Sequence, residues 1–442
     1  MINGSRNSFL YTFLIFLVPI ILLLFFTSVV KAKSVAPNIE WQKSFGGNNN
    51  EQSMSIQNTS DGGYIIAGFS DSNDTNVTEN HGSLDFWIVK INSRGNMQWQ
   101  KSLGGSNDDT ARTVLQTVDG GYLVAGASKS NDGDVKGNHG KNDCWIVKLD
   151  TQGNIQWQKS LGGSDDDTVV FSQLTLDGGY IILGTSSSKN GDVTGNHGKA
   201  DVWLVKLDST GTIQWQKSLG GRQDELARSL QITPDGGYII SADSQSKNGD
   251  LTENHGKNDF WIVKLDSQGN IQWQKSLGGS DKDYANFIQI TSDGGYIIAG
   301  ASSSKDGQVT GNHGNVDYWI VKLDSQGNIQ WQKSVGGSQN EYANSLLITR
   351  DGGYIIVGLS DSNDGDVAGN HGKFDQWIVK LDSQGTIQWQ KCLGGDELDV
   401  ALSAQTTSDG GTIIAGSTIS TNGDVSKNYG SFDFWIVKLK RQ

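Results

Sequence analysis

Residues 317–337, Asp317-Tyr-Trp-Ile-Val-Lys-Leu-Asp-Ser-Gln-Gly-Asn-Ile-Gln-Trp-Gln-Lys-Ser-Val-Gly-Gly337, form two short segments of β character around a Ser-Gln-Gly turn. Close variants of this stretch recur along the chain. Its two tryptophans belong to two series, Trp41, Trp99, Trp157, Trp215, Trp273, Trp331, Trp389 and Trp87, Trp145, Trp203, Trp261, Trp319, Trp377, Trp435, each stepping by 58 residues. Neither series is broken by an insertion or deletion. Seven copies of one unit therefore occupy equivalent positions in space, which is the signature of a repeat architecture.

Working outward from that stretch, the fifth copy reads as four strands with no helical periodicity. Strand A is expected over Asn286–Thr291, and Asp293-Gly294-Gly295 supplies the positive φ for a tight turn into strand B, Tyr296–Ala301. Strand C is expected over Trp319–Asp324 and strand D over Ile329–Ser334, with a long polar loop before C and Gly336-Gly337-Ser338 after D. Strand B is apolar on both faces, so each sheet is sandwiched between its neighbours. The chain is thus expected to be all-β, a seven-bladed β-propeller of four-stranded antiparallel blades. The first copy opens at a D strand, Ile39–Ser44, and the last stops at a C strand, Trp435–Leu439. The N-terminal strand then closes the ring and leaves no unpaired edge.

The period accounts for 406 of 442 residues, so residues 34–442 read as one propeller domain. Residues 1–33 carry an apolar run, Phe9 to Val30, behind Arg6 and ahead of the small-residue pattern Val30-Lys31-Ala32. That is a signal peptide or a signal anchor, and it implies a secreted or cell-surface protein in contact with a membrane only through this segment. A net charge of −13, with no basic tract, argues against a nucleic-acid partner. Cys144 and Cys392 occupy different repeat positions and are not expected to pair.

Antiparallel order puts the B–C and D–A loops on one face and the tight turns on the other, which makes the loop-rich face the candidate for function. On it recur Asn80-His81-Gly, Asn138-His139-Gly, Asn196-His197-Gly, Asn254-His255-Gly, Asn312-His313-Gly and Asn370-His371-Gly, with Asn428-Tyr429-Gly in the last copy. These are the candidate ligand-binding residues. An Asp precedes each strand C (Asp85 and its equivalents), and an acid recurs in each D–A loop (Glu51, Asp109 and equivalents). Equivalent histidines of different blades are too far apart to share a zinc ion. A calcium ion is the alternative for Asp132 and Asp134 with Asp143, and for Asp364 and Asp366 with Asp375, because oxygen ligands at alternate positions suit it; an Asx turn explains the same residues. Otherwise no cofactor is expected. Carboxylates in seven near-copies offer no differentiated acid–base pair, and there is no separate Ser/His/Asp or Cys/His set, so the chain is not expected to be an enzyme. The strand lysines (Lys90, Lys148 and Lys43, Lys101 with equivalents) read as solubilising charges on outer strands.

The succession Gly-Gly-Tyr, a hydrophobic strand, then Leu-Asp-x-x-Gly-x-x-x-Trp resembles kelch and quinoprotein-type propeller repeats. Residues 38–439 resemble more closely the secreted bacterial proteins with tandem DGGY…NHG…DxWIVKLDxxGxIxWQKxxGG repeats. The quinoprotein resemblance would imply an enzyme with eight blades, an adjacent-cysteine disulfide and an Asp/Glu cofactor site. Two lone cysteines depart from that pattern, and the cofactor does not carry over. Two functions remain: multivalent recognition of a glycan or surface polymer through repeated loop sites, or a scaffold for one protein partner. Copy-specific residues favour the second, and the residue before the strand C tryptophan (Phe86, Cys144, Val202, Phe260, Tyr318, Gln376, Phe434) is such a position.

Overall fold

The structure, a computed structural model, describes residues 35–441. The expectation for residues 1–33 lies outside them. The described residues form 28 strands in seven four-stranded antiparallel sheets, each ordered A-B-C-D. The first blade is Glu51–Asn58, Tyr64–Ser70, Asp85–Ile91 and Met97–Leu103. The seventh takes three strands from the C-terminal end (Asp399–Thr406, Thr412–Thr418, Asp433–Leu439) and its fourth, Ile39–Phe45, from the N-terminal end. The expected seven-bladed propeller, closed by the N-terminal strand, is the observed fold.

Closure reproduces the chemistry of the other blades. In every blade the strand C tryptophan donates from Nε1 to a strand D glutamine at 2.6–2.9 Å; Trp87 uses Gln100, and Trp435 uses Gln42 from the far end of the chain. Trp41 also lies 6.2 Å, ring to ring, from Tyr64 of the first blade, as Trp99 does at 5.7 Å from Tyr122. The closing strand therefore completes one blade and packs against the next.

Strand C is buried along its whole length on both faces, which is why Asp-Phe-Trp-Ile-Val-Lys-Leu carries no polar alternation. Its tryptophan is among the largest fully buried side chains and sits against the neighbouring blade: Phe86 on Trp145 at 4.6 Å, Phe434 on Trp87 at 4.5 Å, Tyr318 on Trp377 at 4.6 Å. The variable residue before each tryptophan is thus interior packing, including Gln376, whose Nε2 donates to the Val400 carbonyl. Its variation says nothing about a partner.

Two sequence expectations need correction. Strand A of the fifth blade spans Asp283–Ile290, so the recurring acid opens the inner strand instead of lying in the D–A loop. It is drawn in because its carboxylate accepts the backbone N–H of the second loop glycine, at 2.6–2.9 Å in every blade. The lysines of strand C are not surface charges either. Lys90, Lys148, Lys206, Lys264, Lys322, Lys380 and Lys438 are buried, and each pairs at 2.5–2.9 Å with the aspartate of its own Asp-Gly-Gly turn. Hydrogen bonds from Lys206 and Thr175 hold Asp177 down at about 2. A buried ammonium is tolerated here because it is paired and hydrogen-bonded.

Candidate functional site

The loop-rich face is built from the B–C loops leaning on the D–A loops. Within each Asn-His-Gly the asparagine Nδ2 donates to the last carbonyl of strand B at 2.7–3.0 Å, Asn80 to Ser70 for example. The histidine places Nδ1 2.6–2.7 Å from the aspartate that opens strand C: His81 on Asp85, His139 on Asp143, His197 on Asp201, His255 on Asp259, His313 on Asp317 and His371 on Asp375. The glycine is required by close approach, since a Cβ on Gly82 would lie 2.5 Å from the Gly105 carbonyl oxygen. All three residues thus have framework duties. What remains for solvent is part of six imidazoles, whose side chains are 33–43% exposed, and His81 Nε2 also lies 3.9 Å from Asp134 Oδ2. In the seventh copy Tyr429 keeps only the backbone bond to Asp433, and its ring takes Lys427 Nζ at 3.8 Å.

Several of the oxygen atoms considered for calcium face backbone amides, while Asp143 Oδ1 and Asp375 Oδ1 are buried without a hydrogen-bond partner. Asp132 Oδ1 accepts from the Ser106 N–H at 2.8 Å and Asp134 Oδ2 from the Gly104 N–H at 3.3 Å, while Asp143 is held by His139. Asp364, Asp366 and Asp375 repeat this with Ser338, Gly336 and His371. These bonds tie the B–C loop to a D–A loop 26 and 30 residues away and are not the local bonds of an Asx turn; among the described residues no three His, Cys, Asp or Glu side chains are grouped to hold a metal ion. The melting temperature should accordingly shift by less than about 1 °C between excess chelator and millimolar Ca²⁺, because a ligand that binds only the native state would raise it. A rise that grows with calcium concentration would restore the metal reading.

Beneath the loops, each blade junction buries two carboxylates on either side of a glycine. A Cβ on Gly104 would come within 2.5 Å of Asp85 Oδ1 and 2.7 Å of Asp109 Oδ2. Burial, partly offset by their hydrogen bonds, raises the pKa of Asp85 and Asp109. Burial, with Asp399 nearby, carries Asp375 to about 6 even with His371 bonded to it. Asp433, which has Tyr429 where a histidine would stand, is carried by burial and Glu51 to about 7. One such pair sits under every loop pair. Among the described residues no imidazole Nε2 hydrogen-bonds to a serine, threonine or cysteine, and both cysteines are buried free thiols whose pKa burial raises.

The channel on the ring axis was not legible in the sequence. The A strands of successive blades contact one another, which makes them the innermost strands, and they line a cavity of about 600 Å³. One repeat position facing it reads Met54, Arg112, Val170, Arg228, Asn286, Asn344, Leu402, five residue types over the seven blades. Phe171 and Phe287 also line it and approach each other at 6.3 Å. The signal in the sequence was this variability at a strand A position, but nothing local marks strand A as the inner one.

No family model matches the chain. Among curated proteins it is similar to Regulatory protein FlaEY of Caulobacter vibrioides, 25% identical over 200 residues, which are 41% of this chain and 21% of that protein. The chain thus spans about a fifth of that relative's length. Among solved structures it is similar to the Pan2 WD40 domain of Neurospora crassa (TM-score 0.49, 13% identity, 88% of this chain and 89% of that one). It is also similar to a protein of unknown function from Dyadobacter fermentans (TM-score 0.49, 11% identity, 92% and 100%). A third likeness is to the quinohemoprotein alcohol dehydrogenase ADHIIG of Pseudomonas putida (TM-score 0.44, 10% identity, 92% and 77%).

Proposed function

We propose that the chain is a non-catalytic binding propeller, exported through residues 1–33, that takes one partner per ring over its axis. The observation that carries this reading is the division of labour between the two candidate surfaces. The recurring loop residues are engaged in holding the framework, so their recurrence no longer calls for seven ligands. Residues that differ between blades line the axial channel, which can enclose a single asymmetric ligand that reads them; the exposed D–A loop tips (Asn48, Ser106, Arg222 and their equivalents) also differ but lie on the open loop face. A partial likeness to a protein named as regulatory is in keeping with a binding role.

A second reading, multivalent recognition of a glycan or surface polymer, is favoured by one observation: six equivalent and partly exposed imidazoles recur on the B–C loops, with Asn80, Asn138, Asn196, Asn254, Asn312, Asn370 and Asn428 beside them in sequence. The two readings separate in a blade-by-blade titration of the strongest binder found on a glycan, cell-wall polymer and secreted-protein array. On the axial reading, Val170→Trp in the channel abolishes binding while His197→Ala leaves it within about twofold. If loss instead accumulates with the number of histidines replaced, whichever blades carry them, avidity is at work and the axial reading fails.

A further inference from the structure

Two arginines occupy the same repeat position in the channel, Arg112 in the second blade and Arg228 in the fourth, and their surroundings differ at one residue. Arg228 is neutralised: its Nε lies 2.7 Å and its Nη2 2.6 Å from Oδ2 of Asp243, a fully buried aspartate of strand B. Asp243 also accepts the Ala285 N–H at 2.8 Å, so it is fixed in place. In the second blade the residue equivalent to Asp243 is Ala127. The Arg112 side chain consequently makes no hydrogen bond or ion pair with any described residue, and it is exposed to channel solvent between the inner strands.

The channel around it is otherwise neutral or apolar. Its wall includes Val170, Phe171, Phe287 and Leu402, and glutamines such as Gln173 and Gln289 complete it. Gln173 and Gln289 already accept the backbone N–H groups of Ile232 and Ile348 through Oε1. The cavity therefore offers one uncompensated positive charge, a fork of donors, and two aromatic rings within about 600 Å³, the size of a small-molecule site. One net charge suits a monoanion better than a phosphate dianion, and a planar guanidinium matches a carboxylate through two parallel hydrogen bonds.

We infer that the axial channel is a binding site for a carboxylate joined to an apolar, ring-sized body, with Arg112 holding the carboxylate and Phe171 and Phe287 packing the body. This inference rests on the axial reading above and names the chemistry of its ligand.

The test uses the full chain and four probes at constant ionic strength: benzoate, 3-phenylpropionate, benzyl alcohol and inorganic phosphate. The two carboxylates should bind saturably by calorimetry, with benzyl alcohol at least about tenfold weaker because it lacks the charge. Arg112→Gln should weaken the carboxylates at least about tenfold and leave benzyl alcohol unchanged, while Arg112→Lys should retain part of the affinity. Arg222→Gln, on a D–A loop, is the control and should change nothing. The inference is overturned if neither carboxylate binds saturably, if both bind Arg112→Gln as well as the parent, or if phosphate binds as tightly as benzoate. Should the carboxylates fail while Val170→Trp still abolishes partner binding, the axial reading stands and only the ligand chemistry is wrong. Carboxylate binding at Arg112 without any Val170→Trp effect on the partner would sink the axial reading instead.

Discussion

Deleting residues 35–45 should lower the melting temperature by on the order of 10 °C and broaden the transition, because it removes the strand that closes the ring. The deletion strips the six-residue register between Ile39–Phe45 and Phe434–Leu439 and exposes the edge of strand C. It leaves Trp435 Nε1 without Gln42, Lys438 without Glu40, and Tyr64 without Trp41 across the junction. Losses of this kind, a packed aromatic and a buried donor together, sit in the exceptional range of roughly 5 kcal/mol or more, or on the order of 10 °C for a domain of this size. Gln42→Ala is a milder cut. It removes the acceptor for Trp435 and the donor to the Asp424 carbonyl, and should cost about 1–3 kcal/mol. A synthetic peptide of residues 35–45 should restore the cooperative melt of the truncated chain. If the truncated chain melts like its parent, the seventh blade does not depend on its borrowed strand.

Raising the pH from 5 to 8 should destabilise the protein, the second large effect. The buried junction acids have folded-state values above their unfolded ones: Asp283 and Asp375 at about 6 and Asp433 at about 7. A raised acid contributes stability that is complete below its unfolded pKa near 4 and is lost as pH climbs through the folded value. For Asp433 alone, about three units at about 1.4 kcal/mol each is roughly 4 kcal/mol lost by pH 8. The turn aspartates run the other way. Asp119, Asp177, Asp235 and Asp293 are held at about 2, so their contribution is present above pH 4 and lost only as pH falls towards 2. Maximum stability is therefore expected near pH 4–5, with a melting temperature at pH 5 at least about 10 °C above that at pH 8. Tyr429→His adds the imidazole that the other six copies have. It should bring Asp433 towards the value of Asp375 and recover about 1.4 kcal/mol at pH 8 with little change at pH 4. A melting temperature that is flat or rises between pH 5 and 8 would show that the junction carboxylates ionise freely.

How much of this was written in the chain depends on whether the interaction is local. The blade count followed from the tryptophan steps, and the closing strand from an unmatched copy at each end, because both are differences in position along one line. The buried lysines were misread because Lys206 and Asp177 lie 29 residues apart in separate hairpin elements, and alternation within a strand cannot report a partner that distant. A constant Asp-to-Lys separation in every copy was the available signal. The Asn-His-Gly residues were rightly placed on the loop face, but their recurrence had two explanations until the bonds from Asn80 to Ser70 and from His81 to Asp85 supplied a framework reason. Phe86 and Gln376 looked like a copy-specific surface and are buried, since strand C has no exposed face. The channel residues from Met54 to Leu402 became visible only when the A strands were found to be innermost.

Stoichiometry tests the functional proposal most directly, because repeated loop sites and one axial site differ in number whatever the ligand. With a monovalent fragment of the best array binder, calorimetry on the full chain should give one ligand per chain, and that site should vanish in Val170→Trp while the variant's melting temperature stays near the parent's. A stoichiometry of several per chain, up to one for each of the seven copies, that survives Val170→Trp would place recognition on the repeated loops and contradict the axial site.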